Sequence, residues 1–306
     1  MEINIAMDRH SIDWNGPIPA VVTPFALDRS IDEAAFAQNV ENVLGSGAHG
    51  IVVVGCTGEF WSLADAERAR LFRLATEVTG ERGFVIAGIS AIEVDRVVSL
   101  AREARAAGCD GALVLPPWFV QLNDDDITAH FTAVAKAVDL PLMVYNIPAN
   151  AVNRIGPALA SRLAGIETVV AIKESSGDWL NYYETFLAVQ DRLRVFCGPS
   201  HLYGAQAALM GCDGVIDIFP NVWLGGCNRI FHAAKAGRLD EAFALQEQGF
   251  RLSRAFTAEA MSLYVATKHA MNVLGLPGGA VRPPFHPLTG HQAAFLEERM
   301  RELGLT

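Results

Sequence analysis

The amino-acid sequence predicts an α/β fold, a (β/α)8 TIM barrel with additional C-terminal helices. Eight short apolar runs begin roughly every 20 to 35 residues, which is the length of one strand-plus-helix unit. Amphipathic segments with apolar residues at every third or fourth position lie between these runs. Neither a G-x-G-x-x-G motif nor a P-loop follows any run, so the alternative of a doubly wound open sheet is disfavoured.

The repeated pattern assigns each element in turn. The predicted strands are Ile18–Thr23, Gly50–Val54, Phe84–Gly88, Gly111–Leu115, Pro141–Tyr145, Val169–Lys173, Arg194–Cys197 and Gly214–Asp217. The predicted crossover helices include Asp32–Ser46, Ala64–Thr79, Val94–Ala107 and Asp124–Ala137. Asp32 can cap the first of these helices, and Ser62 followed by Asp65 approximates a capping box for the second.

After the eighth strand the pattern is helical to the end of the chain. The predicted helices there are Val222–Ala236, Asp240–Ala270 with an interruption, and Gln292–Leu303. We therefore divide the chain into a loose N-terminal leader (1–14), the barrel (15–236) and a C-terminal helical extension (237–306). The extension can pack on the flank of the barrel or form an oligomer contact.

Composition favours a small-molecule partner. The chain has 24 basic and 34 acidic residues and a formal net charge of −10, which gives no basic surface for nucleic acid or for a membrane. The five cysteines include no C-x-x-C pair, which indicates neither disulfides nor a cysteine-rich zinc site and fits the cytoplasm. The eight histidines form no H-x-x-x-H or H-x-H pair, so we expect no metal and no cofactor.

Lys173 ends the apolar run Val169–Lys173, at the end of the strand that faces the ligand in a barrel. An amine desolvated by apolar walls loses part of its proton affinity and can form a Schiff base with a carbonyl group. The alternative is a lysine that extends from the strand end into solvent.

Two further segments follow strands at the same end of the barrel. In the loop Gly55-Cys56-Thr57-Gly58-Glu59, backbone N–H groups and the Thr57 hydroxyl can bind a substrate carboxylate, although a tight turn also requires these glycines. A carboxylate there would repel the ligand, so we expect Glu59 to point away and brace the loop. Tyr145 ends the strand before that of Lys173 and can move protons at the imine, or it can be a core tyrosine.

The sequence resembles the dihydrodipicolinate synthase and N-acetylneuraminate lyase superfamily. The resemblance rests on five motifs in order: Pro19-Ala-Val-Val-Thr-Pro24, Gly55-Cys-Thr-Gly-Glu59, Tyr145-Asn-Ile-Pro148, Ile172-Lys-Glu174 and Arg282-Pro-Pro284. It implies a barrel enzyme, often a homotetramer, in which Lys173 forms a Schiff base with pyruvate or a related 2-oxo acid. It also implies that Tyr145 is the proton shuttle and that Thr57 and its loop bind the carboxylate.

The remaining predicted substrate-binding residues are Gly55, Cys56, Phe119, Asn150, Ser175, Gly198 and Ile216. Three of these depart from dihydrodipicolinate synthases, which have a threonine, a relay tyrosine and an arginine where this chain has Cys56, Phe119 and Asn150. Phenylalanine cannot pass a proton, and asparagine cannot form a bidentate ion pair with a second carboxylate. Gly58-Glu-Phe60 and Leu115-Pro-Pro117 are more similar to the sugar-acid branch.

The leading hypothesis is a metal-independent lyase, an aldolase or dehydratase, that acts on a keto-deoxy sugar acid. The alternatives within the superfamily are a 4-hydroxy-tetrahydrodipicolinate synthase and a hydratase-aldolase for an aromatic 2-oxo acid. A barrel that only binds a keto acid and a phosphosugar enzyme are the alternatives from other classes. The latter is disfavoured because Gly198-Pro-Ser200 and Ile218-Phe-Pro220 lack a glycine-rich phosphate-binding loop.

Overall fold

The computed structural model describes residues 7–306 and confirms the (β/α)8 barrel. All of the strands pair in parallel. The strands are β1 (Gly16–Pro17), β2 (Gly50–Val53), β3 (Phe84–Gly88), β4 (Gly111–Val114), β5 (Leu142–Asn146), β6 (Val169–Glu174), β7 (Arg194–Cys197) and β8 (Gly214–Val215).

The helices alternate with the strands and then continue beyond the barrel. They are α1 (Glu33–Gly45), α2 (Asp65–Thr79), α3 (Val94–Ala106), α4 (Asp124–Ala137), α5 (Pro148–Ala151), α6 (Pro157–Leu163), α7 (Trp179–Val189), α8 (Ser200–Met210), α9 (Gly226–Lys235), α10 (Leu239–Phe256), α11 (Leu263–Val273) and α12 (Gly290–Glu302).

The segment that contains β1 closes the barrel. The sheet order is β1-β8-β7-β6-β5-β4-β3-β2, and a parallel bridge between Ala20 and Val52 joins the two ends. The predicted first strand, Ile18–Thr23, is therefore placed too late, because the regular ladder covers only Gly16–Pro17. Pro17 and Pro19 have no N–H group for a continuous ladder, so the closure depends on single hydrogen bonds, such as Ile18 N–H to the Val215 carbonyl at 2.8 Å.

The N-terminal segment packs on the barrel from Arg9 onward, so the looseness predicted for the leader is wrong for its described part. Arg9 pairs with Asp213 at 2.8 Å, and Trp14 is buried and stacks on Phe84. A Cβ at Gly111 would lie 2.2 Å from the Trp14 ring, so glycine is required there. Residues 1–6 of the predicted leader lie outside the described residues.

One of the two predicted helix caps is confirmed. The Asp32 carboxylate accepts the Ala35 N–H at 2.9 Å. The capping box assigned to Ser62 and Asp65 is wrong, because the Ser62 hydroxyl bonds the Glu59 carbonyl instead. The N-cap of α2 is Ala64, two residues later, where the Glu67 carboxylate accepts the Ala64 N–H at 2.9 Å.

The C-terminal helices form a second apolar core against the barrel. Phe256, Met271 and Leu296, from α10, α11 and α12, are buried around Phe219 in this core. The predicted interruption is confirmed, since α10 ends at Phe256 and α11 begins at Leu263. The first predicted helix, Val222–Ala236, starts too early: the chain forms a 3-10 turn at Phe219–Asn221, and α9 begins after Gly225, which has a φ of 77°.

No helix in residues 7–306 is long and apolar enough to cross a membrane.

Candidate active site

A cavity of about 140 Å³ lies at the carboxyl ends of the barrel strands. Loops after β2, β5, β6, β7 and β8 form its walls, and α11 contributes the remaining side. This is the end at which (β/α)8 barrels place their functional side chains. The predicted residues that line it are Cys56, Thr57, Tyr145, Lys173, Ser175, Gly198 and Ile216.

Lys173 is buried at the end of β6, with only 6% of its surface exposed. Tyr145 is its partner in the β5–β6 register, and the Lys173 Nζ lies 4.2 Å from the centroid of the Tyr145 ring. Burial lowers the pKa of the amine to about 8, against smaller raising effects from Cys56 and Asp217. A substantial fraction of this amine is therefore neutral, and nucleophilic, near physiological pH.

The Tyr145 phenol lies in a cluster of groups that keep their protons. Burial raises its pKa well above the ordinary value, and negative charge on Cys56 or Tyr264 would raise it further. Burial also raises the pKa of the Cys56 thiol, although Lys173, Tyr145 and Tyr264 partly offset this. Tyr145 is thus a neutral phenol beside the amine, which is the form that can donate a proton to a developing hydroxyl group.

The loop after β2 is held in a strained conformation at the edge of the cavity. Val54 has a φ of 58°, which is unusual for a β-branched residue and turns the chain sharply at the end of the strand. The turn uses the N–H groups of Gly58 and Glu59, which bond the carbonyls of Gly55 and Cys56 at 3.0 Å each. The Cys56 and Thr57 N–H groups and the Thr57 hydroxyl are therefore the candidate donors to a ligand carboxylate.

Glu59 braces this loop from behind, as predicted. It is fully buried, points away from the cavity and forms an ion pair with Lys268 of α11. Lys268 also donates to the Ala280 carbonyl at 2.8 Å, and its Nζ lies 4.1 Å from the centroid of the Phe25 ring. The C-terminal extension therefore fixes the position of the loop that borders the cavity.

Ser175, Gly198 and Ile216 line the cavity on the other side of Lys173. A Cβ at Gly198 would lie 1.7 Å from the Ser175 Oγ, so only glycine fits beside this hydroxyl. The Ser175 Oγ lies near the Tyr145 phenol and slightly lowers its pKa. Within residues 7–306 this hydroxyl oxygen has no hydrogen-bond partner. Gly55, the remaining loop residue of the predicted set, borders a small void beside Tyr145.

Phe119 and Asn150 do not line the cavity of their own chain. The Phe119 side chain is 84% exposed, at a backbone φ of 76°. Asn150 is exposed in α5, next to the Tyr264 phenol. Motif alignment gives the position of a residue along the chain, but it does not give the direction of the side chain.

Among the lining residues that sequence reasoning did not assign to the site, three have titratable side chains: His201, Asp217 and Tyr264. Asp217 had a local signal, since an acid ends the otherwise apolar Gly214–Asp217 run, and His201 was the one histidine near a strand end. Tyr264 belongs to α11, and its phenol lies close to Cys56. No local pattern indicates that a residue so far along the chain returns to the barrel mouth.

A larger cavity of about 380 Å³ lies between the loop after β1 and the C-terminal segment. Its walls include Phe25, Leu27, Val265 and Leu288, and they are mainly apolar. Lys268 lies there, but its amine is already occupied by Glu59 and the Ala280 carbonyl. The smaller cavity, which holds the unpaired amine, is therefore the candidate active site.

In the described part of the chain, residues 7–306, no group of three or more His, Cys, Asp or Glu side chains could hold a metal ion.

The fold places a buried lysine in a cavity at the mouth of a (β/α)8 barrel, and comparison with known proteins gives the family. The sequence model of the Dihydrodipicolinate synthetase family matches residues 13–302. The chain belongs to this family and is a lyase.

Relatives span nearly the whole chain. A protein named "Uncharacterized DapA-like lyase" from Rhizobium meliloti is 33% identical over 291 residues, which cover 95% of this chain and 96% of the relative. A 4-hydroxy-tetrahydrodipicolinate synthase from Hyphomonas neptunium is 34% identical over 296 residues, with 95% and 99% covered. The crystal structure of YagE from E. coli K12 in complex with pyruvate superposes with a TM-score of 0.90 at 26% identity, covering 96% and 99%.

The Glu59–Lys268 pair gives a testable prediction about stability. Lys268→Met removes one partner and leaves a buried carboxyl group, which should cost about 3–5 kcal/mol in the free energy of unfolding measured in urea. The matched control is Arg70→Met, which breaks the exposed Arg70–Glu33 pair and should have little effect. Equal, small losses in the two variants would show that the buried pair does not hold the loop.

Proposed function

We propose that the protein is a metal-independent lyase in which Lys173 forms a Schiff base with pyruvate or another 2-oxo acid. The observation that carries this proposal is the buried Lys173 amine, whose pKa is lowered to about 8 and which shares one cavity with Tyr145 and Thr57. A barrel that only binds a keto acid would have no need of an amine held at this cost in desolvation. The pyruvate bound to YagE supports the same substrate class.

The proposed reaction uses each part of the cavity. The substrate carboxylate binds the N–H groups of Cys56 and Thr57 and the Thr57 hydroxyl, which places the keto carbon at Lys173. The neutral amine attacks this carbon, and the Tyr145 phenol donates the proton that lets hydroxide leave as water. The resulting protonated imine accepts electrons, so a bond at the third carbon of the substrate can break.

We propose a keto-deoxy sugar acid as the substrate rather than an aldehyde that carries a second carboxylate. Among the described residues, no arginine lines the cavity. Arg154 is held by Asp178 at 2.7 Å and by Asn181 at 3.1 Å, so it does not replace the arginine that is absent at position 150. The hydroxyl groups of a sugar acid can form ordinary hydrogen bonds with Ser175, Tyr264 and His201, which line the cavity.

A hydratase-aldolase for an aromatic 2-oxo acid is the second candidate, and one group of side chains favours it. Tyr264 lines the cavity and packs edge-to-face on Trp61, with ring centroids 5.0 Å apart. Trp61 contacts Phe60 in turn, and Phe60 contacts Trp118. These rings could stack on an aromatic tail. Turnover of an aromatic 2-oxo acid in preference to sugar acids would select this candidate.

We propose that the protein is a cytoplasmic homotetramer. All five cysteines are buried free thiols, which suits a reducing compartment. Large apolar side chains are exposed on the surface of α7 and α8, including Leu180, Leu187 and Leu209, and Phe119 is exposed near the barrel mouth. Burial of these side chains against other copies of the chain would remove them from water. The mass of a single chain in light scattering would contradict this assembly.

Borohydride reduction in the presence of pyruvate should attach a pyruvyl group to Lys173, because this amine is neutral enough to attack and faces the cavity. The adduct is located by mass spectrometry of peptides. Lys173→Ala should lose both the label and turnover, whereas Lys136→Ala should keep both and chelators should leave turnover intact. A label on Lys136, Lys235 or Lys268 would overturn the assignment.

Tyr145→Phe should keep the fold and slow turnover by about 10² to 10⁴, the usual effect of losing a positioned acid–base group. The ring still fills its place beside Lys173, so the loss reports on the hydroxyl alone. Steady-state kinetics measures it, with Tyr183→Phe on the surface of α7 as the control that should match the wild type. A loss smaller than tenfold would return Tyr145 to a structural role.

Aspartate semialdehyde should be a poor partner for the pyruvyl enzyme, because the cavity offers its carboxylate no guanidinium. A charge-assisted contact contributes about 1.5–3 kcal/mol, so the missing group corresponds to roughly ten- to a hundredfold in affinity. Asn150→Arg should recover part of this affinity, measured as KM for aspartate semialdehyde, and Asn150→Gln should not. Efficient condensation by the wild type would show that the sugar-acid assignment is wrong.

A further inference from the structure

Two histidines, His49 and His232, face each other at the end of the barrel opposite the candidate active site. His49 directly precedes β2, and His232 lies in the last turn of α9. Their ring centroids are 5.7 Å apart, with an angle of 38° between the ring planes, and both residues are exposed. The two are far apart along the chain, so no local motif indicates the pair. The proposed lyase chemistry makes no use of them, because Lys173 and Tyr145 lie at the carboxyl ends of the strands.

The pair lies at the seam where the barrel closes. The His49 N–H donates to the Pro17 carbonyl at 2.9 Å, which ties the start of β2 to β1. A Cβ at Gly16 would clash with the His49 Nδ1, so glycine is required there to leave room for the ring. α9, which carries His232, packs against β1 and β8. The two rings therefore belong to elements that meet on both sides of the seam.

The hydrogen bonds of Asn15 determine which nitrogen of His49 carries the proton. The Asn15 Nδ2 donates to the Asp13 carbonyl at 2.9 Å and to the Asp13 carboxylate at 3.2 Å, so the Asn15 Oδ1 is the atom that faces His49. The His49 Nδ1 lies 3.0 Å from this oxygen, which can only accept. Nδ1 is therefore the donor, and Nε2 has a free lone pair. Histidine ligands of metal ions commonly have such an outer partner, which fixes the orientation of the ring.

The separation of the two rings fits a shared metal ion. A metal–nitrogen bond of about 2.1 Å places the centre of an imidazole ring about 3.2 Å from the ion. Two such rings have centres about 5.2 Å apart at a tetrahedral angle and about 5.5 Å apart at 120°. A small rotation of either exposed side chain brings the observed 5.7 Å into this range. Neither ring nitrogen of His232 has a hydrogen bond among residues 7–306, so this rotation breaks none.

The surroundings of the pair do not exclude a cation. Arg229 and Arg238, which lie near this end of α9, both pair with Glu241, at 3.3 and 2.7 Å. The Lys235 amine lies over the Phe231 ring, 5.5 Å from its centroid. In the described part of the chain no third His, Cys, Asp or Glu side chain joins the two histidines, so water must supply the remaining ligands.

We propose that His49 and His232 form a surface binding site for one divalent transition-metal ion. The ligand atoms are the His49 Nε2 and one ring nitrogen of His232, and water completes the coordination. Imidazole ligands suit Zn²⁺, Ni²⁺ and Cu²⁺, whereas Mg²⁺ and Ca²⁺ prefer oxygen ligands.

The bound ion links the start of β2 to α9 across the closing seam of the barrel. An ion that binds the folded chain in preference to the unfolded chain stabilises the fold by mass action. It lies at the opposite end of the barrel from Lys173, so the inference does not depend on the proposed Schiff base, and turnover should be the same with and without the ion.

Isothermal titration calorimetry tests the site, on chain that carries no histidine tag and has been treated with a chelator. Zn²⁺ and Ni²⁺ should bind at one equivalent per chain, and Mg²⁺ should not bind. Loss of an outer partner of a ligand costs about 10- to 100-fold in metal affinity, and loss of the ligand costs at least as much. His49→Gln and His232→Gln should therefore each weaken binding by about tenfold or more, and Asn15→Ala by about tenfold. The matched control is His286→Gln, at an exposed histidine far from the pair in the sequence, which should bind like the wild type.

Two further measurements report on the ligands and on the seam. The electron paramagnetic resonance spectrum of bound Cu²⁺ should show coupling to two imidazole nitrogens in the wild type and to one in His49→Gln or His232→Gln. Zn²⁺ should raise the midpoint of urea unfolding for the wild type and for His286→Gln, and it should have little effect on the other two variants.

Several outcomes would overturn the inference. Binding of Zn²⁺ with wild-type affinity by His49→Gln or by His232→Gln would show that other groups hold the ion. Coupling of Cu²⁺ to a single nitrogen in the wild type would show that the two rings do not share it. Failure of the wild type to bind Zn²⁺, Ni²⁺ and Cu²⁺ would remove the site altogether. Turnover that changes with Zn²⁺ in the wild type but not in the two variants would contradict its separation from the active site.

Discussion

Burial of an amine without a carboxylate partner is the constraint on which the site depends. Lys173 and Lys268 are both buried, and in both burial lowers the pKa to about 8. Lys268 pairs with Glu59, whereas no carboxylate in residues 7–306 lies within ion-pair distance of Lys173. At pH 7 about one in ten amines with a pKa of about 8 is neutral. For an ordinary lysine, with a pKa near 10.5, the neutral fraction is about one in three thousand. The barrel thus holds Lys268 in an ion pair and leaves Lys173 without one, as the proposed nucleophile.

The C-terminal extension completes this site, although the barrel carries Lys173 and Tyr145. α11 contributes Tyr264 to the cavity wall and Lys268 to the pair that holds the loop after β2. The strained Val54 and the buried Glu59 persist because this pair and the surrounding core hold them in place. A barrel without these helices would leave the Glu59 carboxylate unpaired and the loop after β2 unsupported.

The sequence was sufficient for the fold and for the side chains that local patterns place at strand ends. Lys173 and Tyr145 end apolar runs, and the structure confirms that they are adjacent across β5 and β6. The sequence was insufficient where the direction of a side chain, or packing between distant segments, determines which residues line the cavity. Motif position alone assigned Phe119 to the cavity, but its side chain is exposed. Tyr264 returns to the cavity from a distant helix, which no local pattern indicates, and the sequence pattern identifies Asp217 only as the end of a strand.

The proposed chemistry requires Lys173 to be an unusually acidic lysine, and titration of this side chain tests that directly. The chain has only four lysines, so 13C labelling of lysine side chains gives few NMR signals, and Lys173→Arg assigns the one of interest. The Lys173 signal should titrate with a midpoint near 8, as its pKa predicts. Lys268 should titrate in the same range but remain in the Lys173→Arg spectrum. A Lys173 midpoint near 10.5, the ordinary value for lysine, would contradict the account.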